Sequence, residues 1–244
     1  MKICLAQISA VPGDIAANIN SHRESIRRAA AHGGELIVFP ELSLSGYEPT
    51  LMKDMAVAPD DPRLQVFQQL SKQHAIRIAL GVPLQTADGI AISMLIYYPD
   101  RERQVYYKTY LHADEEPYFT SVPNEQVTLA DHPELALAIC YEISVPGHID
   151  RAAADAARFY LASVVKFTNG MEAAAARLTD IARSYGMTVM TVNAVGHADG
   201  GLCGGQSGVW NTDGRLLGSL DSTETGLLIY DTETQVISNI PENE

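Results

Sequence analysis

Short apolar runs recur along this chain, and in two separate stretches they alternate with segments whose apolar residues repeat at helical spacing. Such alternation restricts the chain to folds in which helices cover sheets. A strand with an apolar face and a helix with an apolar stripe must each bury it against another layer. Residues 2–9 read as a buried strand, followed by a Pro12-Gly13 turn. Asp14 then serves as an N-cap, and Ile15, Ile19, Ile26 and Ala29 or Ala30 recur at helical spacing to about Gly33. Residues 36–39 form a second strand ending at Pro40, and Asp60-Asp61-Pro62 caps a helix carrying Leu64, Phe67, Leu70 and Ala75.

The middle of the chain changes character. Strands are expected over 76–82, 90–98 and 104–107, the last two joined by the hairpin residues Pro99-Asp100-Arg101-Glu102. Strand–helix alternation then resumes: strand 135–140, helix 146–157, strand 160–165, and a helix marked by Met171, Ala175, Leu178, Ala182 and Tyr185. Strand 188–194 follows, then a hairpin pairing 208–211 with 216–220 across Asp213-Gly214, and a last strand over 227–230. With no linker or repeat in sight, the expectation is one α/β domain over 1–244, with helices covering mixed sheets.

Composition sets bounds on what such a domain does. A chain of 244 residues buries about three quarters of its unfolded surface and needs neither disulfides nor metals to be stable. Cys4, Cys140 and Cys203 lie far apart without CxxC spacing, so they read as reduced thiols of a cytoplasmic protein. The formal charge of -13 argues against nucleic acid and anionic membrane as partners, because both require a basic surface. No apolar run approaches the roughly 20 residues of a membrane span.

Three polar residues sit at the ends of apolar runs, where a fold presents side chains to a cleft. Glu41 follows Ile37-Val38-Phe39-Pro40, Lys108 follows Val105-Tyr106-Tyr107, and Cys140 follows Leu137-Ala138-Ile139. A thiol is a strong nucleophile once it loses its proton. A carboxylate can take that proton and later hand it to a leaving amine. An ammonium beside them can hold a developing oxyanion. Taken singly, each residue has a plainer reading: a small core thiol, a solvated loop carboxylate, a surface charge.

The surrounding residues overturn the plainer readings. Phe39-Pro40-Glu41-Leu42 with Ser45-Gly46-Tyr47, Tyr106-Tyr107-Lys108-Thr109-Tyr110-Leu111, and Ile139-Cys140-Tyr141-Glu142-Ile143 with Pro146 occur in that order. Ala6-Gln7 with Gly13-Asp14 and Asn18 precede them; Val192-Asn193, Gly204-Gly205-Gln206-Ser207 and Asp213-Gly214 follow. Together these segments resemble the nitrilase superfamily of carbon-nitrogen hydrolases over nearly the full length. The resemblance implies a four-layer α-β-β-α sandwich with Glu41, Lys108 and Cys140 as a catalytic triad. It implies a second glutamate nearby, for which Glu115 fits the family's spacing before Tyr118-Phe119 and Glu116 is the neighbour it could be confused with.

The same resemblance implies a mechanism without metal or organic cofactor, in which Lys108 and the backbone N–H of Tyr141 hold the oxyanion of a small-molecule amide. Tyr47, Lys166, Phe167 and Thr168 are the implied substrate contacts, with Lys166 either meeting a substrate carboxylate, as in an omega-amidase, or standing as a solvated loop charge. Tyr141 after the nucleophile, where nitrile-cleaving members carry Trp, favours an amidase or carbamoyl-amide hydrolase. A homodimer or higher homo-oligomer is implied as well. The alternatives are a nitrile-cleaving member and a non-catalytic scaffold that kept the fold. A papain-like hydrolase lacks its histidine context here. The glycine-rich run at 200–205 lacks the phosphate-loop pattern, and His197 with Cys203 makes at most half a zinc site.

Overall fold

The structure, a computed structural model, describes residues 1–241; residues 242–244 of the expected domain lie outside the described residues. In chain order the first half contains β1 (Lys2–Gln7), α1 (Ile15–Ala31), β2 (Leu36–Val38), α2 (Met52–Met55), α3 (Gln65–His74), β3 (Arg77–Thr86), β4 (Gly89–Tyr97) and β5 (Gln104–Tyr107). There follow β6 (Thr128–Leu129), β7 (His132–Ile139), α4 (Pro146–Ala154), β8 (Phe159–Ser163), α5 (Met171–Tyr185) and β9 (Thr188–Val192). The chain ends with β10 (His197–Ala198), β11 (Gly201–Leu202), β12 (Gly208–Trp210), β13 (Leu216–Ser219), β14 (Gly226–Asp231) and β15 (Ile237–Pro241).

The strands make two large mixed sheets, ordered β15-β14-β1-β2-β3-β4-β5 and β13-β12-β9-β8-β7-β6. In the first, β1, β2 and β3 are mutually parallel and the flanking pairs antiparallel. In the second, β7, β8 and β9 are parallel. Parallel neighbours require crossovers, which α1, α3, α4 and α5 provide.

The period-2 alternation of side chains shows how the layers form. On β1, Ile3 and Leu5 join one buried cluster and Cys4 and Ala6 another; on β4, Ile92, Met94 and Ile96 join the first, Leu95 and Tyr97 the second. The first cluster continues into Leu135, Leu137 and Ile139 of β7, so it fills the space between the sheets and reaches the α4–α5 side. The second holds Ile26 and Ala29 of α1 and Phe67 and Leu70 of α3. The result is the expected α-β-β-α order of layers.

Four local expectations are corrected. Cys140 does not end a strand: it leaves β7 with φ 43° and opens a 3₁₀ turn over Cys140–Ser144. Ala75 closes α3 in the left-handed conformation, its N–H bonded to Ser71 O, rather than continuing the helix. The helix after the nucleophile stops at Ala154. A further strand, β15, pairs with β14 beyond the strand expected to be last. Along β15 Ile240 alone is buried, so this edge strand lacks the alternation that would mark it in sequence.

Candidate active site

Strand ends of both sheets converge at one edge of the sandwich. Glu41 lies in the turn after β2, where Ser43 N and Leu44 N donate to Pro40 O and Gly81 O. The Ser163 hydroxyl of β8 donates to Phe39 O at 2.8 Å, tying this turn to the opposite sheet. Lys108 follows β5 and holds the ladder through its N–H to Ile92 O. Cys140 follows β7.

All three side chains are buried, and Lys108 is fully enclosed. Its ammonium donates to Glu41 Oε1 at 2.7 Å and to Glu115 Oε1 at 2.6 Å. An ammonium has three N–H bonds, so one remains for a ligand. Two carboxylates hold Lys108 charged and raise its pKa against the opposing effect of burial. Burial pushes the Glu41 carboxyl above its ordinary value, with Lys108 pulling it back. Glu41 Oε2 has no hydrogen-bond partner among the described residues, so it is free to accept a proton, and the Glu41 and Cys140 charges act on each other.

The thiol itself is pushed up to about 11, first by burial and then by the Glu41 charge, so it rests protonated at neutral pH. Its Sγ lies 3.6 Å from Val165 O. A resting thiol next to a carboxyl poised above its usual range is the arrangement that general-base activation requires. The positive φ of Cys140, a conformation costing about 1–3 kcal/mol, turns Sγ out of the strand toward the cavity. It also leaves the Tyr141 N–H at the open start of the 3₁₀ turn, where backbone donors lack intrahelical partners.

A cavity of about 220 Å³ opens onto Cys140 and is lined by Tyr47, Glu115, Tyr141, Lys166, Phe167 and Asp199 among others. Glu115 rather than Glu116 belongs to it. Glu115 is 1% exposed, accepts from Lys108, the Tyr47 hydroxyl and His112 N, and is thereby fixed from three sides. Glu116 faces solvent. Tyr47 lines the cavity, but its hydroxyl is engaged by Glu115 at 2.9 Å. Lys166 and Phe167 line it; Thr168 is exposed and does not, while Asn169 and Gly170 of the same turn do. His112 stands at the mouth, its ring edge-on to Tyr141 at 5.1 Å.

Two residues of the site carried no role in the sequence reading. Asn193, fully buried, accepts from Lys166 N and donates to Lys166 O and Gly205 O, so it anchors the backbone from which the Lys166 side chain departs. Glu142, inside the nucleophile motif, is fully buried and gathers donors from two strand ends. The glycine-rich run forms the β10–β11 hairpin, turning at Asp199-Gly200 with both φ positive, and is no phosphate loop. Among the described residues no cluster of three or more His, Cys, Asp or Glu side chains could hold a metal ion, and no helix is long and apolar enough to cross a membrane.

Comparison with known proteins agrees with this architecture. The amidase from Nesterenkonia sp. AN1 superposes with a TM-score of 0.85 at 23% identity, over 96% of this chain and 94% of that one. An (R)-stereoselective amidase from Pseudomonas sp. is 30% identical over 171 residues, 70% of this chain and 60% of its own length. A glutamine-dependent NAD(+) synthetase from Thermotoga maritima is 28% identical over 153 residues, 60% of this chain but 26% of its own length. The chain thus spans less than two thirds of the length of each of these two curated relatives. Residues 2–242 match the sequence profile of the family described as carbon-nitrogen hydrolase, and the chain belongs to that family.

Proposed function

We propose that this protein is a cysteine-dependent amidohydrolase that cleaves the C–N bond of a small linear amide through a thioester on Cys140. One observation carries the reading: a fully enclosed Lys108 ammonium bridges Glu41 and Glu115, one oxygen of Glu41 is left without a hydrogen-bond partner among the described residues, and the Glu41 and Cys140 charges act on each other. Such a cluster is costly to bury, and perturbed groups assembled in a cleft mark chemistry. The relatives point the same way. Two carry amidase names, and a glutamate-to-glutamine mutant of the Nesterenkonia amidase shows covalent addition of the acetamide moiety of fluoroacetamide at its active-site cysteine.

Glu41 removes the thiol proton as Sγ attacks the amide carbonyl carbon. The carbonyl electron pair moves onto oxygen, where the third N–H of Lys108 and the Tyr141 N–H receive it. As the tetrahedral intermediate collapses, the C–N bond breaks and Glu41 returns the proton to nitrogen, releasing ammonia or an amine. Water then gives a proton to Glu41 while its oxygen attacks the thioester. The C–S bond breaks, the carboxylic acid leaves, and the thiol regains its proton. Glu115 keeps Lys108 oriented and charged throughout.

Lys166 narrows the substrate. It lines the Cys140 cavity without an acidic partner within salt-bridge distance among the described residues, on a backbone clamped by Asn193. A cation so placed favours amides whose far end carries a carboxylate, the omega-amidase type, over carbamoyl compounds lacking one. The decisive experiment is ammonia release from a panel of anionic, neutral and cationic amides, with intact-mass detection of the acyl-enzyme. Full turnover by Cys140→Ala would overturn the mechanism, and a preference for cationic amides would overturn the role of Lys166. Assembly as a homodimer or larger belongs to the same reading: Leu216 leaves an apolar side chain 46% exposed beside Trp210. Mass photometry tests it.

A further inference from the structure

Glu142 has no place among the proton transfers above, yet it is the most heavily bonded carboxylate near them. Oε2 accepts from Ile139 N at 2.9 Å, the peptide just before the nucleophile, and from the Tyr106 hydroxyl at 2.7 Å. Oε1 accepts from Thr109 N at 2.8 Å, the peptide just after Lys108, and from Tyr110 N at 3.4 Å. One side chain therefore spans the two sheets and ties the Cys140 turn to the Lys108 strand end. No hydrogen bond found between the backbones of these two segments does the same.

Behind it runs a buried chain whose direction follows from the donors available. His148 Nε2 lies 2.8 Å from the Tyr106 hydroxyl oxygen, and His148 Nδ1 lies 2.9 Å from the Tyr160 hydroxyl. Burial raises Glu142 to about 7, so above that pH it is ionised; Tyr106 then donates to it and must accept from His148 Nε2–H. Nδ1 is then bare and accepts from Tyr160. Every group in the chain is satisfied, with a neutral imidazole in a single tautomer, and burial does hold His148 neutral by lowering its pKa to about 4. Tyr106, His148 and Tyr160 are all buried, so the chain is rigid on every side.

We propose that Glu142 is a positioning residue: its carboxylate sets the register between the left-handed Cys140 backbone and Lys108, and the Tyr106–His148–Tyr160 chain locks that carboxylate in place. It touches neither substrate nor reacting atoms. The proposal rests on the thioester reading for its kinetic effect, but its geometric content stands apart from turnover. Glu142→Gln keeps the size of the side chain but sets an amide NH2 against either the Thr109 N–H or the Ile139 and Tyr106 donors. That clash of donors shifts one strand end relative to the other.

The test compares wild type, Glu142→Gln and Tyr106→Phe. Ile26→Ala, remote under α1, serves as a control for lost stability alone. Two readouts are taken on folded protein: steady-state ammonia release, and the rate at which iodoacetamide alkylates Cys140, followed by peptide mass. In Glu142→Gln kcat is expected to fall at least 30-fold with KM within threefold, and alkylation to slow at least fivefold. The control should lower the melting temperature and leave both rates within twofold. A folded Glu142→Gln with both rates within twofold of wild type overturns the proposal. If that variant does not fold, Tyr106→Phe decides. A fall in kcat of threefold or more at unchanged KM supports the proposal, and rates equal to wild type overturn it. If wild type releases ammonia from no amide and forms no acyl-enzyme, the thioester reading has failed, and the alkylation ratio alone settles the role of Glu142.

Discussion

Lys108 Nζ sits 2.7 Å from Glu41 Oε1 in a pocket that solvent does not reach, so the charge of the proposed base depends on the ammonium beside it. Lys108→Met strands Glu41 opposite Glu115 with no cation between them. Breaking a buried pair from one side costs about 3–5 kcal/mol. The carboxyl pair is expected to relieve the repulsion by taking up a proton, which removes the base as well. Turnover should fall by at least about 10³, combining a lost oxyanion donor with a lost base. Urea denaturation and single-turnover acylation check the two effects separately. Stability unchanged within about 0.5 kcal/mol would contradict the burial argument.

Glu41→Gln separates the two consequences of the Glu41 charge. That charge raises the Cys140 pKa, so its removal lets the thiol ionise more readily. Alkylation by iodoacetamide at pH 8–9 should therefore be as fast as in wild type or faster. Amide turnover should drop by about 10²–10⁴ for want of a proton carrier. A variant that lost both reactivities in parallel would show Glu41 acting on sulfur position rather than on the proton.

How far the site was legible in sequence depended on whether a role lies in the residue's own neighbours. Glu41, Lys108 and Cys140 each stand in a run whose order is informative, while spacing to Tyr118-Phe119 favoured Glu115 over Glu116 without deciding between them. Glu142 was quoted within the nucleophile motif, but its task is to join Ile139 to Thr109, thirty residues or so earlier in the chain, and no local pattern encodes that bond. Asn193 is opaque for the same reason, since its partners are Lys166 and Gly205. Thr168 differs in kind: it is absent from the lining of the cavity that Phe167, Asn169 and Gly170 share, because register in a 3₁₀ turn decides which residues meet it. In the fold, helices were visible by their apolar stripes and central strands because both of their faces are buried, whereas β15 lies at an edge with one buried side chain.

Stability should depend on pH through His22. Burial lowers its pKa to about 4, while an unfolded histidine titrates near 6.5. Between those values the unfolded chain binds the extra proton, so the stabilisation is complete above about pH 6.5 and is lost as pH falls toward 4. The full effect is on the order of 3 kcal/mol. Glu142, raised to about 7 by burial, acts with the opposite sign over part of the same window, so the total slope is not diagnostic. The comparison of His22→Gln with wild type is. The variant should lose less stability between pH 7.5 and 5 in urea titrations, and an identical loss would rule out His22 as the titrating group.

Gly81 on β3 offers the sharpest test of how the fold places Glu41. A Cβ at this position would sit 2.4 Å from Pro40 O, 2.6 Å from Leu42 N and 3.0 Å from Glu41 C, all of them backbone atoms. Backbone cannot swing aside as a flexible side chain can. Gly81→Ala must therefore push the turn at 40–42 away from β3 and carry the Glu41 carboxylate with it. The Gly81 O–Leu44 N bond and the Ser163–Phe39 link resist that movement, so the strain stays local. Overpacking of this kind costs about 1–3 kcal/mol, which a domain of this size tolerates. Catalysis tolerates it less, because misplacing a reacting group by about 1 Å costs on the order of 10² in rate. Folded Gly81→Ala should accordingly show a kcat lowered by roughly that factor. Iodoacetamide should still alkylate Cys140, whose own turn is untouched. Wild-type turnover in this variant would mean that the Glu41 turn is not braced against β3 as the structure has it.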